Sequence, residues 1–388
     1  MSGPSLVFPA SEFQRRLDAL QQEMARNGFD ALLLTSAADV FYVTGFLTRF
    51  WESPARPWFV VVPLKGQPIA VIPSIGADLM GRTWITDIRT WDAPDPVDDG
   101  VSLLTDTLCT LLPESGLIGV AMGLETHLRM PLADYARVLE RIAPRTTRDA
   151  TGVVQRVREI KSDLEVNKIR NSCAIADRAF DRVPAIVHVG KALDQVFRDF
   201  QILLLEEGAD WVSYLAGGAG AGGYGDVISP ADTAPLRAGD VLMLDTGAVK
   251  DGYFCDFDRN YALGDAGDDA RRAYEDLFAI TEEALNNIEP GMSARELHRI
   301  INGSANARGA TPGGGRLGHG LGLTLTEWPS FTSKDDTVLR EGMVLTLEPS
   351  VEISTGRIMV HEENLVLRSN GPELLSRRAP AELPVIPT

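Results

Sequence analysis

The chain has 388 residues, 44% hydrophobic and 23% charged, too long for one ordinary core and too apolar for a disordered segment. Its formal net charge of −17 argues against an electrostatic grip on nucleic acid or on an anionic membrane. The three cysteines form no CxxC pair, no stretch approaches the ~18 apolar residues that span a bilayer, and the start lacks a basic segment followed by an apolar run, so a cytoplasmic protein without disulfides is expected.

The first half alternates helix and strand. Ser11 can cap a helix whose apolar face is Phe13, Leu17, Leu20 and Met24, and Gly28 ends it. Ala31 to Leu34 reads as a buried strand, and Trp58 to Pro63 and Ile69 to Ile72 flank a turn at Lys65-Gly66. Leu117 to Val120 is another short strand, followed by a polar helix through Leu139. The boundary falls near Thr151-Gly152, giving an α/β domain at 1–152 and a second domain at 153–388.

Beyond the boundary, Ser162-Asp163-Leu164-Glu165 has the form of a capping box and opens a helix through Phe180. A further helix runs from Leu193 to Glu207. The glycines at 217, 218, 220, 222, 223 and 225 are expected to form a loop beside the site, since no strand–loop–helix context or following lysine supports a phosphate cradle. Val241 to Asp245 and Tyr253 to Leu263 read as strands joined through Asp251-Gly252. Helices follow at Asp268–Ile288 and Ser293–Ala307, and the last eighty residues return to strands and turns.

Asp245, Asp256, His319, Glu348 and Glu362 stand out because each sits in, or ends, an apolar strand-like run. A buried strand seldom carries an acid without a partner, and paired strands can bring Asp245 and Asp256 together. Their mutual repulsion requires either protons or cations, and four carboxylates with one imidazole make a hard, oxygen-rich site for two divalent ions. Asp258 shares the pleat face of Asp256 and is a candidate to support it. A lone histidine is more often structural, but the glycines of Gly318-His319-Gly320-Leu321-Gly322 favour His319 as a ligand.

Asp245-Thr246-Gly247 through Gly252-Tyr253 to Asp256, Gly318 to Leu323, and Gly342-Met343-Val344-Leu345-Thr346-Leu347-Glu348-Pro349 resemble the creatinase, prolidase and aminopeptidase-P family. Tyr42-Val43-Thr44-Gly45 is similar to its N-terminal domain, and Ile160-Lys161-Ser162 to the start of its catalytic domain. The resemblance implies an α/β (α+β) chain, with a creatinase-type N-terminal domain followed by a C-terminal pita-bread domain. It implies that Asp245 binds one metal, Asp256 and Glu362 bridge two, and His319 and Glu348 bind the second, with Glu348 as acid/base. Glu363 then points to the opposite face. The implied reaction is hydrolysis of a C–N amide bond in a dipeptide-like (Xaa-Pro type) or modified amino-acid substrate by a metal-bridging hydroxide. A homodimer with two divalent ions is expected, manganese first and iron, cobalt or zinc as alternatives.

Some positions depart from the peptidases. Thr326 stands where they carry a second histidine, Val360 replaces an arginine, and Gly225 to Pro230 contains no histidine. Arg56 could fix a substrate carboxylate and Trp51 face a cationic or cyclic group, while a surface loop with packed tryptophans is an equal reading of residues 49–58. Thr326 and Trp328 are candidates for the substrate pocket, Trp328 having core packing as its alternative. Two other functions stay open: a metal-dependent lyase of dimethylsulfoniopropionate or a related betaine, although such a lyase carries a second Asp where this chain has Gly247, and a metal-free binding or scaffold protein.

Overall fold

The computed structural model describes residues 7–53 and 56–388, so Pro54 and Ala55 of the arginine- and tryptophan-rich loop, and the first six residues, fall outside the described residues. The chain divides into two compact units, Met1–Arg158 and Glu159–Thr388. No helix among the described residues is long and apolar enough to cross a membrane.

In the N-terminal unit a six-stranded mixed sheet runs in the order Asp87–Trp91, Ile69–Pro73, Phe59–Pro63, Ala31–Leu34, Leu117–Val120, Thr146–Asp149. The central strands are buried along their whole length, which is why they read as continuous apolar runs rather than alternating ones. Leu33, Val61, Val71 and Ile118 pack with Leu104, Leu108 and Ile142 of two helices. The first helix, Ala10–Asn27, starts from Pro9 rather than from a Ser11 cap. Pro9 lacks the N–H that a helix start would leave unpaired, and its carbonyl accepts the Glu12 N–H at 3.0 Å, so Ser11 lies inside the first turn. The polar helix expected directly after Val120 begins only at Leu132 and runs to Ile142.

The C-terminal unit is built on two five-stranded sheets and a three-stranded one. In the first sheet Asp240–Lys250 lies between Trp211–Ala221 and Phe257–Leu263, antiparallel to both. In the second, Val344–Leu347 lies between His319–Gly320 and Glu363–Arg368. Helices Asp268–Asn287 and Ala294–Ala307 contribute Leu277, Ile280, Leu297 and Ile301 to a core shared with Met343, Leu345 and Leu365. Each such fully buried aliphatic side chain stabilises the unit by roughly 1.5–3 kcal/mol before chain entropy is counted.

The glycine-rich segment differs from expectation. Gly217, Gly218 and Gly220 lie inside the strand Trp211–Ala221, not in a loop. A Cβ on Gly217 would fall 2.1 Å from the Met243 carbonyl and one on Gly218 2.9 Å from the Tyr224 Cβ, so these glycines are what lets the strands close together.

Candidate metal centre

Each acid of the cluster is delivered by main-chain pairing. Asp245 lies in the middle of Asp240–Lys250, opposite Ala216 on one side and Asp258 on the other. Asp256 falls in the break between Tyr253–Phe254 and Phe257–Leu263. There its N–H donates to Asn364 Oδ1 at 2.9 Å and its carbonyl accepts from Asn364 Nδ2, so a side chain does the work of a strand partner. Glu348 follows Val344–Leu347, and its N–H donates to the Leu317 carbonyl at 3.0 Å. Glu362 sits between Arg357–Val360 and Glu363–Arg368, with its N–H on Asp258 Oδ1 at 2.6 Å and its carbonyl accepting from Arg259 at 2.9 Å.

The five side chains predicted as ligands converge into two triads, Asp256–His319–Glu348 and Asp245–Asp256–Glu362, whose ligand atoms lie within 4.8 Å of one another in each. Asp256 belongs to both. His319 Nε2 is 3.3 Å from Asp256 Oδ2 and 2.8 Å from Glu348 Oε1. Its Nδ1–H donates to the Gly320 carbonyl at 2.7 Å, which fixes the ring and turns Nε2 to the acids. Thr346 accepts the His319 N–H at 3.0 Å and donates to Glu348 Oε1 at 2.5 Å.

The electrostatics of the cluster favour positive charge. Burial, then the charges of Asp256, Asp258 and Glu348, holds the Asp245 carboxyl far above the usual carboxylate range. Glu362 is raised likewise, by burial and then by Asp245 and the other acids. Burial lifts Asp256 to about 6 against the opposing pull of His319. Burial alone would lower His319, but the charges of Glu348 and Asp256 outweigh it and raise the imidazole to about 10. Glu348 shows the converse. Burial would raise it, yet His319 and the Thr346 hydroxyl hold it below its ordinary value.

These residues fit divalent cations. Asp245 Oδ1 is fully buried and has no hydrogen-bond partner, a condition that costs about 1–3 kcal/mol unless a cation or proton supplies the missing interaction. Hard oxygen donors with one imidazole suit divalent ions better than a disulfide or thiolate chemistry would.

Other predicted residues are placed differently. Thr326 lies half-buried on the turn that follows the His319 strand, its Oγ1 3.4 Å from Arg316 Nη2. Trp328 is half-buried on Glu327–Ser330, and its main-chain carbonyl abuts Gly320. Its neighbour Glu327 points inward to a buried ion pair with Lys161 at 2.9 Å and accepts the Leu323 N–H at 2.9 Å, which pins that turn. Trp51 and Arg56 belong to the N-terminal unit, where Arg129 lies 5.0 Å over the Trp51 ring and donates to the carbonyls of Trp51, Ser53 and Arg56. Glu363 turns away from the cluster to Arg259 and Arg378.

Sequence reasoning missed Tyr214, Asn364 and Thr346. Tyr214 lies on the strand paired with the one that carries Asp245 and its hydroxyl donates to the Val227 carbonyl at 3.1 Å, while burial and then the charges of Asp245, Glu362 and Asp256 raise that hydroxyl. Thr346 and Asn364 each stand two residues from a ligand, on the same pleat face, and strand periodicity was the signal that could have found them. A surface cavity of about 640 Å³ lined by Leu285, Asn287, Glu289 and Asn370 holds none of these residues, so chemistry and not volume locates the centre.

Comparison with known proteins agrees in kind. Residues 167–369 match Metallopeptidase family M24, and residues 16–160 match the Creatinase/Prolidase N-terminal domain. The chain is 27% identical over 390 residues to a probable dipeptidase PepE of Mycobacterium tuberculosis, covering 98% of each chain. It is 24% identical to an Xaa-Pro dipeptidase of Pyrococcus horikoshii, covering 91% of this chain and 94% of the relative. The crystal structure of dipeptidase PepE from Mycobacterium ulcerans superposes with a TM-score of 0.84 at 25% identity, over 98% of this chain and 100% of that one.

Proposed function

The chain belongs to metallopeptidase family M24, and from that premise we propose a dinuclear metal-dependent hydrolase that cleaves the C–N amide bond of a dipeptide-like substrate, Xaa-Pro dipeptides being the first class to test. The observation that carries this reading is the pair of triads sharing Asp256, with an orphaned carboxylate oxygen on Asp245. In it Asp245, Asp256 and Glu362 would hold one ion and Asp256, His319 and Glu348 the other. Manganese is the ion we assign first, because four of the five ligands are carboxylates. When bound, such ions polarise a substrate carbonyl and lower the pKa of water at the site.

The chain's own residues supply orientation and proton transfer. The Gly320 carbonyl holds His319 in the tautomer that leaves Nε2 as a donor to the ion. Glu348, whose Oε1 accepts from the Thr346 hydroxyl and which is the most exposed acid of its triad, would take a proton from the attacking water at a carboxylate oxygen. It would then return that proton to the leaving amine nitrogen. We assign the protein to the cytoplasm, which its three free cysteines support, and to a homodimer, as the family resemblance implies. Light scattering of the purified protein tests the homodimer.

Elimination from a sulfoniopropionate gains no support. A Cβ on Gly247 would lie 2.5 Å from Leu325 Cδ1, so the place of a second aspartate is already filled by an apolar side chain. A metal-free scaffold would have to keep this buried acid cluster protonated without benefit.

Elemental analysis of metal per chain, for wild type and His319→Ala, together with turnover of Xaa-Pro and other dipeptides, tests the proposal. Two ions with turnover in the wild type, and at most one ion without turnover in the variant, is the expected result. Wild type that takes up no metal from added Mn²⁺ would sink the reading.

A further inference from the structure

A second place in the C-terminal unit carries unspent charge, and it lies away from the acid cluster. A cavity of about 330 Å³ opens beside Gly220 of the strand Trp211–Ala221 and is lined also by Asp232, Arg237, Asp240 and Arg357. Glycine leaves the strand surface bare there: a Cβ on Gly220 would fall 2.9 Å from Arg357 Nη1, so the guanidinium itself rests against the cavity wall. Arg357 is half-buried, and alone among the described half-buried lysines and arginines it meets no acid, no hydrogen-bond acceptor and no aromatic ring. The guanidinium of Arg237, which is exposed, likewise has no partner among the described residues. Acids are not scarce, since the chain carries 54 of them against 37 lysines and arginines.

The two acids that line the cavity are engaged with the loop that shapes it. Asp232 Oδ1 accepts the Ala234 N–H at 2.9 Å, Asp240 Oδ2 accepts the Arg237 N–H at 2.8 Å, and neither carboxylate pairs with a guanidinium. The loop is fastened in turn to the helix Leu193–Glu206, where the N–H groups of Leu193 and Asp194 donate to the carbonyls of Ala234 and Asp232 at 3.1 and 2.9 Å. A guanidinium that has given up part of its water without gaining an acceptor is disfavoured unless an anion supplies one. Two such forks carry two positive charges, which suits a phosphate dianion better than a single carboxylate, and the volume is that of a small-molecule site rather than of a bare ion. We propose that Arg357 and Arg237 hold the phosphate group of a small metabolite in this cavity. The charges of Asp232 and Asp240 oppose it, so a dissociation constant of roughly 0.1–1 mM is expected. Gly220 pairs with Val241, four residues before Asp245, which puts the cavity about 13 Å along the strand from that carboxylate. The site is therefore separate from the metal centre and does not depend on the dipeptidase reading.

The test titrates inorganic phosphate, glycerol 3-phosphate and acetate by calorimetry into metal-loaded and chelator-treated wild type, Arg357→Gln and Arg237→Gln, with melting temperatures recorded to confirm folding. Arg198→Gln, at an exposed arginine of the helix Leu193–Glu206 outside the cavity, is the control. Wild type should bind one phosphate per chain with or without the ions, acetate more weakly, and all of them less as salt rises. Arg357→Gln should weaken phosphate by about ten- to a hundredfold and Arg237→Gln by less, while Arg198→Gln should bind as wild type does. Glycerol 3-phosphate should bind more tightly than the free ion, because the cavity has room for its carrier. Phosphate that is lost on chelation and indifferent to Arg357 belongs to the metal centre and overturns the proposal. The absence of saturable binding below about 10 mM overturns it as well. Phosphate that depends on Arg357 while glycerol 3-phosphate is excluded would leave a site for the free ion and overturn the metabolite.

Discussion

Stripping the divalent ions and raising the pH should destabilise the C-terminal unit by an amount that Asp256 largely sets. Asp256 is 5% exposed, and burial pushes its carboxyl from the ordinary 3.8 up to about 6. A carboxyl raised in the folded state contributes stability that is complete below its unfolded pKa and is lost as pH rises through the folded one. The gap between the two values amounts to roughly 3 kcal/mol in all, of which about half falls between about pH 5 and pH 7.5. Asp245 and Glu362 are raised further, so their contributions have the same sign and continue the trend to higher pH. For a unit of this size about 1.5 kcal/mol moves the melting temperature by about 3–6 °C. Circular-dichroism melts of chelator-treated protein should therefore fall by that amount across this interval relative to Asp256→Asn, which cannot ionise. Restoring the ions should invert the trend, because cations bind the ionised carboxylates and bind them better as pH rises. Chelator-treated wild type and Asp256→Asn melts that run parallel would refute the reasoning.

Two further substitutions probe what surrounds the site. Lys161→Met removes the cation that faces Glu327 where both side chains are 2% exposed, and should cost about 3–5 kcal/mol in urea unfolding, part of it recovered in Lys161→Met/Glu327→Met, which also gives up the bond from Leu323 N–H. If the double variant is no better than the single one, the pair is not the source of the cost. Asn364→Ala removes the partner of both the N–H and the carbonyl of Asp256, so metal affinity should drop about ten- to a hundredfold with the fold retained. Unchanged affinity in a calorimetric Mn²⁺ titration would mean that the break before Phe257 holds Asp256 unaided.

The clustered acids were legible because they break local rules. An aspartate inside Val-Leu-Met-Leu-Asp and glutamates closing apolar strands conflict with burial unless something shared compensates them, and that conflict is visible without coordinates. The capping box at Ser162 was legible for a local reason: Ser162 accepts from Glu165 N–H, and the Glu165 carboxylate accepts from Ser162 N–H. What failed was long-range. Glycine at 217, 218 and 220 signals a loop when only neighbours in sequence are considered, whereas the cause of those glycines is the Met243 and Tyr224 atoms packed against them. Tyr214 was lost with that strand.

The network behind the acid cluster holds its carboxylates together against their mutual repulsion. Glu362 is held through the peptide groups on both sides of it, by Asp258 on its N–H and Arg259 on its carbonyl. Asp258 also accepts from Asn260 at 2.7 Å, and Asn260 accepts from the Tyr224 hydroxyl at 3.1 Å. Tyr224 in turn receives the Val360 N–H at 2.7 Å, closing a buried ring around the strand that delivers Glu362. Burial pushes Asp258 itself up to about 8, even against the pull of Arg259, so this support carries an electrostatic penalty of its own. Such a frame leaves the acids little freedom to swing apart and relieve their repulsion. The geometry that would suit two cations is thus held by the bonds around the acids themselves.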